Sequence, residues 1–109
     1  LAISRFEELT ATIPKDADLW FRLGNAYARN KQPKKAVSAY ENALLRDPEL
    51  SKAWYNMGLV YLKEAMKTFD EMSRYVPAED PAGQRGRFLR DALVRLLQRL
   101  SGQPTTTSP

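Results

Sequence analysis

The segment Trp20-Phe21-Arg22-Leu23-Gly24-Asn25-Ala26-Tyr27 returns 34 residues later as Trp54-Tyr55-Asn56-Met57-Gly58-Leu59-Val60-Tyr61. Bulky and small side chains recur at the same offsets in both copies, and a fixed period of this length marks a repeat protein. Downstream of the first copy, Ala36, Tyr40, Ala43 and Pro48 continue the pattern. Upstream, Ala2, Phe6, Leu9 and Pro14 reproduce that second set of spacings, so the chain is expected to open on the second helix of a repeat whose first helix is absent.

The combined pattern, W-x2-L-G-x2-Y followed by A-x3-Y-x2-A-x4-P, resembles the tetratricopeptide repeat, a helix-turn-helix unit. The resemblance implies an all-α fold: a right-handed superhelical array of antiparallel helix pairs, a TPR-type solenoid. It also implies a protein-protein interaction scaffold rather than an enzyme, with no cofactor.

Local signals divide the chain accordingly. Residues 1–16 form the leftover second helix, and residues 17–50 a complete repeat. Within that repeat Asp16 is a suitable N-cap, and Asp18 adds negative charge to the first turn. Arg29-Asn30-Lys31-Gln32-Pro33 ends the first helix, with Asn30 as the residue tolerant of left-handed geometry and Pro33 starting the next. Gly24, Ala36 and Ala43 allow close helix approach, and Trp20, Leu23, Tyr27 and Tyr40 fill the space opposite.

The second repeat, 51–79, departs from the first. Three residues separate Tyr61 from Ala65, whereas eight separate Tyr27 from Ala36. Beyond this shortfall Ala65, Phe69, Met72 and Pro77 resume the earlier spacing. Two explanations stand. Either the two helices are fused into one of about 25 residues, or a turn present in the polymer is absent from this sequence. The apolar residues Trp54, Met57, Tyr61, Ala65, Phe69, Met72 and Val76 recur every three or four positions through the seam, as one amphipathic helix requires. A fused helix cannot fold back on itself, so its second half would pack on another chain, as in a swapped dimer.

Residues 80–102 read as a C-terminal capping helix, with Asp80 as N-cap, Pro81 at the first helical position and a leucine stripe through Leu89, Leu93, Leu96 and Leu100. Gln103 to Pro109, rich in Thr, Ser and Pro, reads as a disordered tail.

Composition narrows the chemistry. The 109 residues contain no cysteine and no histidine, which removes thiolate and imidazole nucleophiles, acid–base groups and metal ligands. No catalytic or metal-binding set is proposed. The net charge of +4 arises entirely at the end of the chain: residues 1–80 carry 12 basic and 12 acidic side chains, while 81–109 carry five arginines against Asp91. Those arginines alternate with leucines and read as a solvated face, so nucleic acid and membrane are not expected as partners. The compartment stays open.

The expected partner surface is the concave groove that, by resemblance, the first helix of each repeat lines. Phe21, Arg22, Asn25, Ala28 and Arg29 face it from the first full repeat. Lys52, Tyr55, Asn56, Leu59, Leu62 and Lys63 face it from the second. These side chains are expected to lie off the core stripe. Asn amides suit a ligand main chain, and Arg and Lys suit carboxylates. Asn25 and Asn56 match two asparagines of the carboxylate clamp of co-chaperone repeats, but Phe21 stands where that clamp has a lysine. A self-associating structural protein, built through the shortened repeat and the end helix, is the alternative reading.

Overall fold

The computed structural model describes residues 1–102, and the expected tail at 103–109 lies outside them. The described residues form five α-helices and no strand: α1 (Ala2–Thr12), α2 (Ala17–Arg29), α3 (Pro33–Arg46), α4 (Ser51–Tyr75) and α5 (Pro81–Leu100). Two compact units divide the described residues, Leu1–Tyr61 and 62–102, with α4 running through their boundary as one uninterrupted helix of 25 residues.

Helix ends follow local chemistry. Asp16 accepts hydrogen bonds from the N–H groups of Asp18 and Leu19, satisfying two donors that the first turn of α2 leaves unpaired. At the turn into α3, Asn30 keeps a negative φ, and Lys31 takes the left-handed conformation at φ 60°. The sequence expectation for Asn30 is therefore displaced by one residue. Pro33 opens α3 where its missing N–H costs nothing.

The core of the first unit is the α2–α3 hairpin. Leu23, Tyr27, Ala36, Ala39, Tyr40 and Ala43 are buried there, Ala53 and Val60 of α4 join them, and Ile3 and Phe6 of α1 pack against the edge. Tyr40 is the largest fully enclosed side chain. Its ring lies against Gly24, so closely that a Cβ on Gly24 would sit 2.6 Å from ring carbons Cδ1 and Cε1. Helix α1 is tied to α2 by the Tyr27 hydroxyl, which donates to Glu7 Oε2 at 2.5 Å.

Residues 51–79, expected to form a second repeat, do not interlock in this way. Trp54 and Tyr61 are exposed, and a Cβ on Gly58 would meet nothing within 4 Å. The 34-residue pattern reads them as counterparts of core residues, but α4 continues straight past the point where α3-like residues would return. In the second unit, Met72 and Phe69 pack on Gly86, and Val76 on Gly83, so the glycines of α5 receive that stripe. Asp80 caps α5 through the Gly83 N–H, and Arg90 bridges to Asp70 at 2.8 Å. Leu89, Leu96 and Leu100 remain exposed, and Leu93 is half-buried.

Two outcomes follow for the first unit. Gly24→Ala overfills a site whose ring has nowhere to move, costing about 1–3 kcal/mol, of which helix propensity returns about 1 kcal/mol. A urea midpoint that falls at unchanged slope is the expected readout. The Glu7 carboxylate beside the Tyr27 hydroxyl, together with burial, pushes that phenol from its ordinary 10 up to about 12. Its contribution to stability is present below pH 10 and is lost as pH rises through about 12. In a phenolate absorbance titration referenced to Tyr27→Phe, Glu7→Gln should return this group toward the ordinary tyrosine range.

Candidate functional site

Helices α1, α2 and the first turns of α4 enclose a cleft of about 210 Å³ lined by Phe6, Phe21, Arg22, Asn25, Arg29 and Lys52. The helical period of α2 places Phe21, Asn25 and Arg29 on successive turns of one face. Their depths differ. Phe21, expected off the core stripe, is buried at 9% exposure with its ring centroid 5.9 Å from that of Tyr40. Packing accounts for it: with Gly24 drawn against Tyr40, the neighbouring position at 21 turns toward the same ring. It forms the floor of the cleft.

Asn25 is half-buried and held from two sides. Its Oδ1 accepts from the Tyr40 hydroxyl at 2.6 Å and from Asn56 Nδ2 at 2.9 Å. Both donors use the carbonyl oxygen, so the Asn25 amide nitrogen is left to point elsewhere. The bond between the two asparagines also joins α2 to α4 at mid-height of the cleft. Burial pushes the Tyr40 hydroxyl above its usual range, which keeps it protonated as a donor.

At the mouth, Asp18 holds two cations. Its carboxylate meets Arg22 Nε at 2.6 Å and Lys52 Nζ at 2.9 Å. The hydrogen bond to Arg22, and then that to Lys52, holds the Asp18 carboxyl below its ordinary range. Lys52 also sits 4.7 Å above the Phe21 ring, a cation–π contact. Arg29 has no carboxylate within ion-pair distance among the described residues. The arrangement is an aromatic floor, a fixed amide wall and a rim of three cations of which one carboxylate compensates two.

Asp18 and Phe6 are absent from the expected groove set. Asp18 was legible: it lies one helical turn before Arg22 and one repeat period before Lys52, so the repeat itself sets opposite charges at equivalent positions on neighbouring helices. Phe6 belongs to the leftover helix, whose approach to α2 no spacing within α2 reveals. Of the other expected residues, Tyr55 is exposed and Leu59 half-buried on the same half of α4. Ala28 is half-buried at the edge of the core. Leu62 and Lys63 lie on the part of α4 that belongs to the second unit.

Tyr40→Phe removes one of the two donors to Asn25 without altering the ring. A loss of about 1 kcal/mol in urea unfolding is expected.

A tetratricopeptide repeat family model matches residues 17–50. The general transcriptional corepressor ssn6 of Schizosaccharomyces pombe is 36% identical over 63 residues, covering 56% of this chain and 6% of that protein. The peroxisomal targeting signal receptor of Candida albicans is 39% identical over 57 residues, covering 52% of this chain and 10% of that protein. The BBSome complex member BBS4 homolog of Drosophila melanogaster is 27% identical over 97 residues, covering 87% of this chain and 20% of that protein. The chain thus spans a fifth or less of the length of these relatives. No solved structure matches it significantly.

Proposed function

We propose that this chain, a tetratricopeptide-repeat protein through residues 17–50, is an adaptor that docks a peptide or partner-protein segment in the cleft between α1, α2 and α4. The observation that carries the reading is the Asn25 amide. It is oriented by Tyr40 and Asn56 so that its N–H groups are not consumed internally, beside a rim where Arg29 lacks a compensating carboxylate. An extended main chain supplies the carbonyls that such an amide binds. A side-chain or C-terminal carboxylate supplies the charge that Arg29, with Arg22 and Lys52, would meet. Phe21, although enclosed by the core, offers its remaining edge as an apolar floor, and Tyr55 extends that surface along α4.

The family match supports a protein–protein interaction role, and so do the relatives. A corepressor, a targeting-signal receptor and a member of a multiprotein complex are named for work done through other proteins. This chain shares with each a short region, so the likeness supports the mode of action and not a shared partner.

The experiment is fluorescence polarisation with an acidic peptide bearing a free C-terminus, alongside its amidated twin. Binding that weakens with added salt is expected. Charge reversal by Arg29→Glu with Lys52→Glu should weaken it by about tenfold or more, the sum of two exposed charge contacts turned repulsive. Undiminished binding by this variant would remove the cleft as the site.

A further inference from the structure

The first repeat supplies a template against which the second can be laid residue by residue. Helix α2 (Ala17–Arg29) corresponds, one period on, to residues 51–63, and α3 (Pro33–Arg46) corresponds, through Ala36 and Ala65, to residues 62–75. Residues 62 and 63 would have to serve in both helices at once. A hairpin within one chain is therefore impossible at full helix length, and residues 51–75 form the single helix α4.

The surface left by this geometry is specific. In the first unit, an apolar cleft of about 490 Å³ lies between α3 and α4, lined by Glu41, Leu44, Leu45, Trp54 and Met57. One period earlier, α3 lies beside Trp20 and Leu23 and leaves a smaller cleft of about 200 Å³ there. Trp54 and Tyr61 are 53% and 54% exposed along the cleft's α4 side, and Gly58 between them faces open space.

We propose that a second copy of this chain covers this face, its Leu62–Tyr75 segment taking the place that α3 takes in the first repeat. The two α4 helices run antiparallel in a reciprocal, two-fold exchange. Each piece of the match is on the chain. The counterpart of Tyr40 is Phe69, half-buried with one edge on Gly86 of its own α5, and the partner copy brings the remaining face of its ring to Gly58. The counterpart of Asn25, which accepts the Tyr40 hydroxyl, is Leu59. Hydroxyl and acceptor are thus replaced together by two apolar groups, as a Phe69–Leu59 contact demands and an unrelated pair of positions would not. The counterpart of Arg46, which lies 4.8 Å over the Trp20 ring, is Tyr75, which is 79% exposed in the single chain. In the exchange it covers Trp54.

The register that sets Gly24 against Tyr40 also sets Arg29 against Lys35 in the first repeat, two cations. In the second it sets Lys63 against the partner copy's Glu64, opposite charges, with the two-fold axis between them. Charge complementarity at the dyad fixes the register, although such exposed pairs add little affinity. The positions used, Trp54, Gly58, Tyr61, Ala65, Phe69 and Met72, recur every three or four residues along a helix of 25 residues, about 37 Å at 1.5 Å per residue, and α5 touches the last two from the side at Gly86.

The test is molar mass by light scattering, from about 1 to 100 μM, where an interface of modest affinity declares itself. A dimer is expected. Gly58→Ala discriminates the register, because the new Cβ meets nothing in the single chain but would meet the partner's aromatic ring in the exchange. Helicity by circular dichroism should be kept or raised, while the dimer dissociation constant rises by about tenfold or more. A mass that stays monomeric throughout overturns the proposal. So does a dimer that Gly58→Ala leaves unchanged, which would place the contact on another surface such as the exposed leucines of α5.

Discussion

Everything in the first unit depends on one close approach: the ring of Tyr40 lying directly on the backbone of Gly24. A glycine in mid-helix forfeits about 1 kcal/mol of helix propensity. What it gains is an interhelical spacing that no side chain permits, and that spacing determines its neighbours. With α3 drawn onto α2, Ala36 and Ala43 become fully enclosed, and the Tyr40 hydroxyl arrives at Asn25. Asn25 is thereby fixed for Asn56, and the cleft acquires its wall. The candidate binding surface is a by-product of how the core is packed.

The same logic explains why so much of the fold was legible. Trp20, Leu23, Gly24 and Tyr27 recur at the offsets of the tetratricopeptide repeat, so the helices of residues 17–50 and their pairing follow from that resemblance. Depth was less legible. Phe21 falls off the stripe by angle, yet it is buried, since a core formed around a glycine extends further around the helix than a uniform stripe suggests. Asn30 and Lys31 show the same limit at smaller scale: asparagine tolerates the left-handed turn better, but the hydrogen-bond closure of α2 puts lysine there.

The second repeat makes the complementary point. Trp54, Gly58 and Tyr61 carry the same letters as their counterparts, and their environments differ because identity at a position records which partner it suits, not whether that partner is at hand. Three residues stand between Tyr61 and Ala65 where the first repeat has eight between Tyr27 and Ala36, and α4 runs on as one helix. Periodicity foresaw a helix that could continue through that seam, and it could not by itself choose continuation.

The two tryptophans are anchored identically, the indole N–H of each donating at 2.8 Å to a proline carbonyl six residues earlier, Pro14 for Trp20 and Pro48 for Trp54. Their faces are not covered alike: Arg46 stacks on Trp20, whereas Trp54 is half open to water. Matched tethering with unmatched solvation makes the pair an internal optical gauge. The half-buried indole under Arg46 supplies a reference emission, and the open one reports, by the colour of its fluorescence, whatever comes to rest against residues 51–61.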